Sequence, residues 1–117
     1  MRLSKAQQTL ILLIQLSQEL KTVTLWQKRR PNPCEMASTL PFHYDTLTFE
    51  QWLQFVFIES MNLIIEKNQP LPSEILLLPM AEESFKVLGN KANRLIDIIG
   101  QLDSLLSGSS LLSGRNV

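Results

Sequence analysis

The pattern of apolar and polar positions is most distinctive across residues 40–72, which read LPFHYDTLTFEQWLQFVFIESMNLIIEKNQPLP. Thr48 followed three residues later by Gln51 is the signature of a capping box, and it predicts a helix start. The Pro-Leu-Pro of residues 70–72 predicts its end. Between these signals, apolar residues occupy well over half of the helical circumference, so neighbouring helices must cover them. The pattern therefore predicts a helical domain built around residues 48–66.

This central helix has a predicted inward face and a narrow outward strip. At the regular helical period, Ser60 falls in the middle of the inward face, where a small residue would allow close approach of another element. Gln54 falls on the strip that faces water. The predicted inward residues are Phe49, Trp52, Leu53, Val56, Phe57, Leu63 and Ile64, and the predicted strip is Glu50, Gln54, Glu59 and Asn62.

Three further helices are predicted from spacing and from boundary residues. The first covers residues 4–25, with Ser4 as its N-cap. The third covers residues 79–88, and Gly89 is its predicted terminator. The fourth covers residues 91–106, and Asn90 is its predicted N-cap. The first helix carries a broad apolar stripe that we expect to face inward: Leu3, Ala6, Leu10, Leu13, Ile14, Leu16, Leu20 and Val23.

These elements predict an all-α fold, because no segment alternates strongly enough to indicate a strand. We expect a compact four-helix bundle formed by a single helical domain, residues 1–106, followed by a disordered Ser/Gly-rich tail, residues 107–117. The first two helices are joined by a long proline-containing connection, residues 27–44. A connection of that length in a small domain is usually held against the core or functional, and we expect it to cross one face of the bundle.

Composition narrows the possible functions. The chain has 117 residues, and its 11 Lys and Arg residues balance 11 Asp and Glu residues. A zero net charge provides no long-range attraction to nucleic acid or to an anionic membrane. The longest unbroken apolar run near the start, residues 10–14, is too short for a membrane span, and no signal-peptide cleavage pattern follows it. One cysteine, Cys34, cannot form an internal disulfide, so we expect a cytoplasmic protein.

Candidate chemistry is sparse. His43 and Asp45 lie two residues apart where the connection meets the central helix. They could act as a base and its orienting acid or as two metal ligands, but neither has further partners in the sequence. Asp45 also precedes a helix cap and is expected to accept hydrogen bonds from the helix start or from the connection. Cys34 has no neighbouring base. We therefore assign no catalytic residue, cofactor or metal ligand, and keep an enzyme site at His43 and Asp45 as an alternative.

A basic run offers a second alternative. Lys28, Arg29 and Arg30 follow one another, with Trp26 beside them and Lys21 upstream. Basic residues next to an aromatic ring can bind RNA through phosphate contacts and base stacking. The same charges also suit the carboxyl end of a helix. We list Lys21, Lys28, Arg29 and Arg30 as possible RNA contacts.

The preferred hypothesis is an interaction surface for a protein partner or a second copy of the chain. The central helix carries more apolar surface than three modest neighbours can cover, and a remaining apolar patch would form an interface. Aromatic residues are favoured anchors of such patches. The predicted surface comprises Trp26, Phe42, His43, Tyr44, Asp45, Trp52 and Phe55.

Several of these residues also support a family resemblance. The chain resembles the YqcC-like family of small bacterial helical proteins in Pro41-Phe42, Asp45-Thr46-Leu47, residues 49–54, the Pro-Leu-Pro of residues 70–72 and residues 79–83. It departs from the family at Glu59, where proline is frequent.

The resemblance implies an all-helical cytosolic protein without an established activity. Some members are labelled as associated with tRNA pseudouridine synthase C, which implies a possible link to tRNA modification. We do not assign the catalytic activity of those synthases to this chain. Their Gly-Arg-Leu-Asp motif is only superficially similar to Asn93-Arg94-Leu95-Ile96-Asp97, which has an extra residue and lies in a predicted amphipathic helix.

Overall fold

The computed structural model describes residues 3–107, and every regular element in that range is helical. The α-helices are α1 (Lys5–Thr22), α2 (Pro33–Met36), α3 (Phe49–Trp52), α4 (Ile58–Glu66), α5 (Leu78–Phe85) and α6 (Asn93–Leu106). One π-helical turn, Leu53–Phe57, joins α3 to α4 into a continuous helix, and 3₁₀ segments cover Pro41–His43 and Lys86–Ala92. The all-α prediction is confirmed.

The predicted N-cap at Ser4 and the predicted capping box at Thr48 are both present, and Ser4 also forms a capping box. Ser4 Oγ accepts from the Gln7 N–H at 3.0 Å, and Gln7 Oε1 accepts from the Ser4 N–H at 2.8 Å. Thr48 and Gln51 form the same reciprocal pair at the start of α3, at 3.3 and 2.8 Å. Each box satisfies two amides that the first helical turn leaves without intrahelical acceptors.

The core lies between α1, the continuous helix of residues 49–66, α5 and α6. α1 packs along α6, and α5 folds back onto α6. Nearly all buried side chains are aliphatic or aromatic, which makes burial of apolar surface the main stabilising contribution. The completely buried core residues include Leu16, Leu20, Leu53, Ala81, Ala92, Leu95, Ile98, Ile99, Leu102 and Leu106.

The predicted orientation of the central helix is wrong beyond the π turn. Ile58 donates its N–H to Leu53 O, a bond that spans five residues instead of four. The extra residue rotates the following part of the helix, so Met61 is buried while Ser60 is exposed. Leu63, predicted to face inward, is 48% exposed.

The predicted orientation and length of the first helix also need correction. Its inward face is formed by Thr9, Leu12, Leu13, Leu16 and Leu20. The predicted inward residues Leu3, Leu10 and Ile14 are exposed instead.

α1 ends at Thr22 rather than at Leu25. Thr24 has a φ of 63°, and the N–H groups of Leu25 and Trp26 both bond to Leu20 O. This hydrogen bonding closes the helix three residues before the predicted end.

The third and fourth helices are shorter than predicted. α5 begins at Leu78 and ends at Phe85, and α6 begins at Asn93 without a capping side chain, so Asn90 is not its N-cap. Gly89 lies inside the intervening 3₁₀ segment with a φ of 59°, a conformation that glycine adopts without steric cost. Gly89 was predicted to terminate the third helix, but that helix ends at Phe85, and Gly89 lies within the irregular segment that follows.

The ends of the chain limit what is described. Of the predicted tail, residues 107–117, the structure describes Ser107 alone. Within residues 3–107, no helix has both the length and the apolar character required to cross a membrane. The same range contains no group of three or more His, Cys, Asp or Glu side chains that could hold a metal ion.

Candidate interaction surface

Two aromatic residues of the predicted surface, Phe42 and Trp52, belong to a ring cluster. Trp52 lies 4.9 Å from Phe42, edge to face, and stacks on Phe49 at 5.8 Å and on Phe57 at 5.5 Å, all measured between ring centroids. Phe49 also contacts Phe85 at 5.7 Å. Such pairs contribute roughly 0.5–1.5 kcal/mol each beyond their buried area. Phe42 and Trp52 are half-buried, so most of their surface already serves the fold.

An apolar cleft of about 330 Å³ borders this cluster. Its walls include Phe42, Trp52, Met61, Ile64 and Leu76. Leu76 is 67% exposed and lies on the irregular segment that precedes α5. The cleft therefore forms one apolar surface near the predicted residues.

The start of the connection is held against the continuous helix by Gln54. The Gln54 Oε1 accepts from the Gln27 N–H at 2.9 Å, and its Nε2 donates to Gln27 O at 2.8 Å. Gln51 adds a bond to the Gln27 side chain at 3.1 Å. These bonds explain why Gln54, predicted to face water, is only 5% exposed. A buried amide side chain is tolerated when its donors and acceptor are satisfied.

The four basic residues listed as possible RNA contacts differ in whether they contact other side chains. Arg30 forms an ion pair with Glu59 at 2.6 Å and lies over the Phe55 ring, and its hydrogen bond to Glu59 raises the pKa of the guanidinium. Lys21 Nζ lies 4.9 Å from the Trp26 ring centroid. Lys28 and Arg29 are exposed and form no ion pair within residues 3–107. Phe55 is itself buried beneath Arg30.

His43 and Asp45 hold different partners. His43 Nε2 lies 3.1 Å from Met36 O, and because a carbonyl only accepts, Nε2 carries the proton. Its Nδ1 is buried and has no hydrogen-bond partner among the described residues. Asp45 accepts from the Ser38 hydroxyl in the connection. A cleft of about 290 Å³ contains His43, Arg30 and Glu59 but does not include Asp45. The structure does not assemble the two residues into a base and its orienting acid.

The backbone at this point is strained. Phe42 and His43 have φ values of 56° and 51°, in the left-handed region that residues with a Cβ rarely occupy. Each such residue costs about 1–2 kcal/mol relative to a right-handed conformation. The packing of the Phe42 ring and the bond from His43 to Met36 offset this cost. Tyr44, next in the chain, is 62% exposed, the most exposed aromatic residue of the predicted surface.

Asp103 is an important residue that the sequence analysis missed. It is only 7% exposed. Both oxygens of its carboxylate accept from the Leu77 N–H, each at 2.8 Å, and Oδ2 also accepts from the Leu78 N–H at 2.7 Å. These amides precede and begin α5, so Asp103 satisfies its free donors from a different helix. Burial raises the pKa of the Asp103 carboxyl, and the two amide bonds oppose the increase without cancelling it.

A second missed feature is an exposed aliphatic strip on α1. Leu3 is 46% exposed, Leu10 38%, Ile11 42% and Ile14 51%. Leu10, Ile11 and Ile14 lie on the side of α1 that faces away from the buried Leu16 and Leu20, and Leu3 precedes the N-cap of the helix. We name these four residues the outer strip. The signal for it was present in the sequence, because apolar residues occupy both sides of the first helix.

Together, these features describe a small all-helical protein whose described surface offers apolar contact areas and no assembled reactive cluster. The DUF446 family model, described as tRNA pseudouridine synthase C, matches residues 8–105. The chain belongs to this family.

Two relatives are similar to most of this chain. An uncharacterized protein of Haemophilus influenzae is 33% identical over 95 residues, which cover 81% of this chain and 89% of that protein. The uncharacterized protein YqcC of Escherichia coli is 29% identical over 82 residues, covering 70% of this chain and 75% of YqcC. The solution NMR structure of YqcC superposes with a TM-score of 0.80 at 25% identity and covers 97% of both chains.

One relative is much longer. A protein of Pectobacterium carotovorum named tRNA pseudouridine synthase C is 33% identical over 60 residues. Those residues are 51% of this chain but only 16% of that protein. Most of the Pectobacterium protein therefore lies outside the match.

Proposed function

We propose that this four-helix bundle is a non-catalytic accessory protein that acts by binding another protein. The observation that carries the proposal is the outer strip, because a helix that is apolar on both sides leaves one side without a partner among residues 3–107. Exposed aliphatic groups in a row along one helix are typical of protein interfaces. The enzyme alternative has less support, since His43 and Asp45 bond to different groups.

The comparisons support a role beside tRNA modification. The family description names tRNA pseudouridine synthase C, and the Pectobacterium relative that bears this name matches the chain over only 16% of its length. A segment similar to half of this chain, inside a much longer synthase, is expected to assist the larger part rather than to perform the reaction. We expect this chain to assist such an enzyme in the same way.

The test is capture of partners by the tagged full-length chain from an extract of its own host, with and without nuclease, followed by mass spectrometry. The proposal predicts a defined protein partner that is retained after nuclease treatment. Recovery of proteins only while RNA is intact would contradict it and favour RNA binding. Recovery of the same proteins by an unrelated helical bundle would also contradict it.

A second candidate function is contact with RNA, again as an accessory factor in tRNA modification. Its supporting observation is that Lys28 and Arg29 are exposed without ion pairs, beside Trp26 and Lys21. Two or three phosphate contacts produce weak, strongly salt-dependent binding. Because Arg30 is paired with Glu59, we expect it to contribute less than its two neighbours.

This candidate is tested by tRNA binding at several salt concentrations. The Lys28→Ala/Arg29→Ala double variant is expected to weaken binding and to reduce the salt slope by about two. Lys67→Ala/Lys91→Ala removes the same charge from other exposed positions and serves as the control. Equal losses in both variants would indicate nonspecific attraction and contradict a defined RNA site.

A further inference from the structure

The outer strip has the spacing of a helix that inserts into a groove. Leu10 and Ile14 lie four residues apart in α1, so their side chains share one side of the helix, and Ile11 widens it. Leu3 precedes the N-cap Ser4 and adds an exposed apolar side chain before the first turn. Anchors at such intervals are typical of a helix laid into an apolar groove of a partner.

The strip is also free of charge. α1 contains no charged residue between Lys5 and Glu19, a stretch that reads AQQTLILLIQLSQ. The flanking charges are directed elsewhere: Lys5 Nζ donates to Leu106 O at 3.3 Å, and Glu19 lies 3.8 Å from Arg94. Depletion of charge at the centre is a compositional mark of interfaces.

The extent of the strip argues against a flat dimer of this chain. A stable interface buries roughly 800 Å² on each partner. Four aliphatic side chains, each about half exposed, offer much less than this on a convex helix surface. The strip reaches a stable contact only if the partner surrounds the helix and also buries its polar flanks, such as Gln7 and Gln18.

We propose that the outer strip of α1 docks into an apolar groove on the catalytic part of a tRNA pseudouridine synthase C. This proposal rests on the proposed function and deepens it by naming the partner and the surface. The partner is chosen because the Pectobacterium synthase joins a segment similar to this chain to a much longer remainder in one polypeptide. Two parts of one polypeptide are expected to contact each other, and we expect this chain to make the same kind of contact.

The experiment mixes the purified full-length chain with the tRNA pseudouridine synthase C of the same host, after nuclease treatment, and measures binding by calorimetry and light scattering. A stable one-to-one complex is expected. Leu10→Glu and Ile14→Glu each bury a charge in the groove and are expected to weaken binding at least about tenfold. Val87→Glu, at a position that is 85% exposed and lies in the 3₁₀ segment outside α1, is the matched control and is expected to retain binding.

Three results would overturn the proposal: no complex with the synthase, equal weakening by Val87→Glu, or a homodimer that Ile14→Glu dissociates. If the synthase does not bind but a different nuclease-resistant partner is captured from extract, this inference fails and the proposed function stands.

Discussion

The side-chain amide of Gln54 is bonded at both ends to the backbone of Gln27. Its oxygen accepts from the Gln27 N–H at 2.9 Å, and its nitrogen donates to Gln27 O at 2.8 Å. The two residues form a closed pair of hydrogen bonds between the continuous helix and the start of the connection. This pair fixes where the connection leaves the core and determines which residues it presents to solvent.

Gln54→Leu should lower the free energy of unfolding by about 1–3 kcal/mol. Leucine has a similar size but leaves the Gln27 N–H and carbonyl unsatisfied in a partly buried position. Urea unfolding measures the change. Gln101→Leu, at an exposed position bonded only to Asp97, is the control and should change stability little. Equal effects of both variants would contradict a special role for Gln54.

Asp103→Ala should lower the free energy of unfolding by about 3 kcal/mol, because the N–H groups of Leu77 and Leu78 lose their acceptor. The start of α5 would become the least stable part of the fold. Urea unfolding reports the loss, and amide hydrogen exchange shows where it occurs. Asp97→Ala, on the exposed side of α6, is the matched control. If Asp103→Ala lowers the free energy of unfolding by less than Asp97→Ala does, water replaces the carboxylate as the acceptor of these N–H groups without a loss of stability.

The stabilising contribution of Asp103 should decrease as pH rises. Its pKa is higher in the folded state than in the unfolded chain, where it is about 3.9, so the folded state binds the proton more tightly. The contribution is complete below the unfolded pKa and is lost as pH rises through the folded one. We therefore expect the stability advantage of the wild type over Asp103→Asn to be larger at pH 3 than at pH 7.

Urea unfolding of both proteins at the two pH values measures this difference, and effects of other titrating groups cancel in the comparison. An advantage that grows toward pH 7 would show that the amide bonds outweigh burial and that the carboxylate is favoured in its ionised form.

The starts of two helices were predictable from the sequence because nearby side chains determine them. Ser4 and Thr48 are caps that act within their own first turn, so the sequence identifies them without knowledge of the fold. The orientation after Phe57 was not predictable in this way, because the five-residue bond from Ile58 to Leu53 inserts a residue into a pattern assumed to be regular. The helix was therefore placed correctly, but Ser60 was assigned to the core in place of Met61.

Residues whose roles depend on partners far away in the sequence were harder to predict. Asp103 lies between Ile99 and Leu106 on the buried side of α6, and a charged residue at that phase is a usable signal for a cap on another element. Gln54 became buried because the Gln27 backbone lies against it. α1 misled the prediction because its apolar residues surround the helix, and packing against α6 selected only one side.

The corrected orientation of the central helix can be tested by a pair of substitutions. Met61→Ala should lower the free energy of unfolding by about 2–5 kcal/mol because it removes a buried side chain. Ser60→Ala, one residue earlier and exposed, should change it by less than about 0.5 kcal/mol. Thermal and urea unfolding of both variants provide the measurement. The reverse order of effects would place Ser60 inward and contradict the π turn.

The most direct measurement of the central claim is an isoleucine-methyl NMR spectrum of the full-length chain, recorded with and without the tRNA pseudouridine synthase C of its host. The account predicts that the methyl signals of Ile11 and Ile14 shift or broaden, while those of the buried Ile98 and Ile99 change little. Changes confined to Ile64 and Ile75, beside the aromatic cleft, would contradict docking through α1. An unchanged spectrum would contradict the choice of partner.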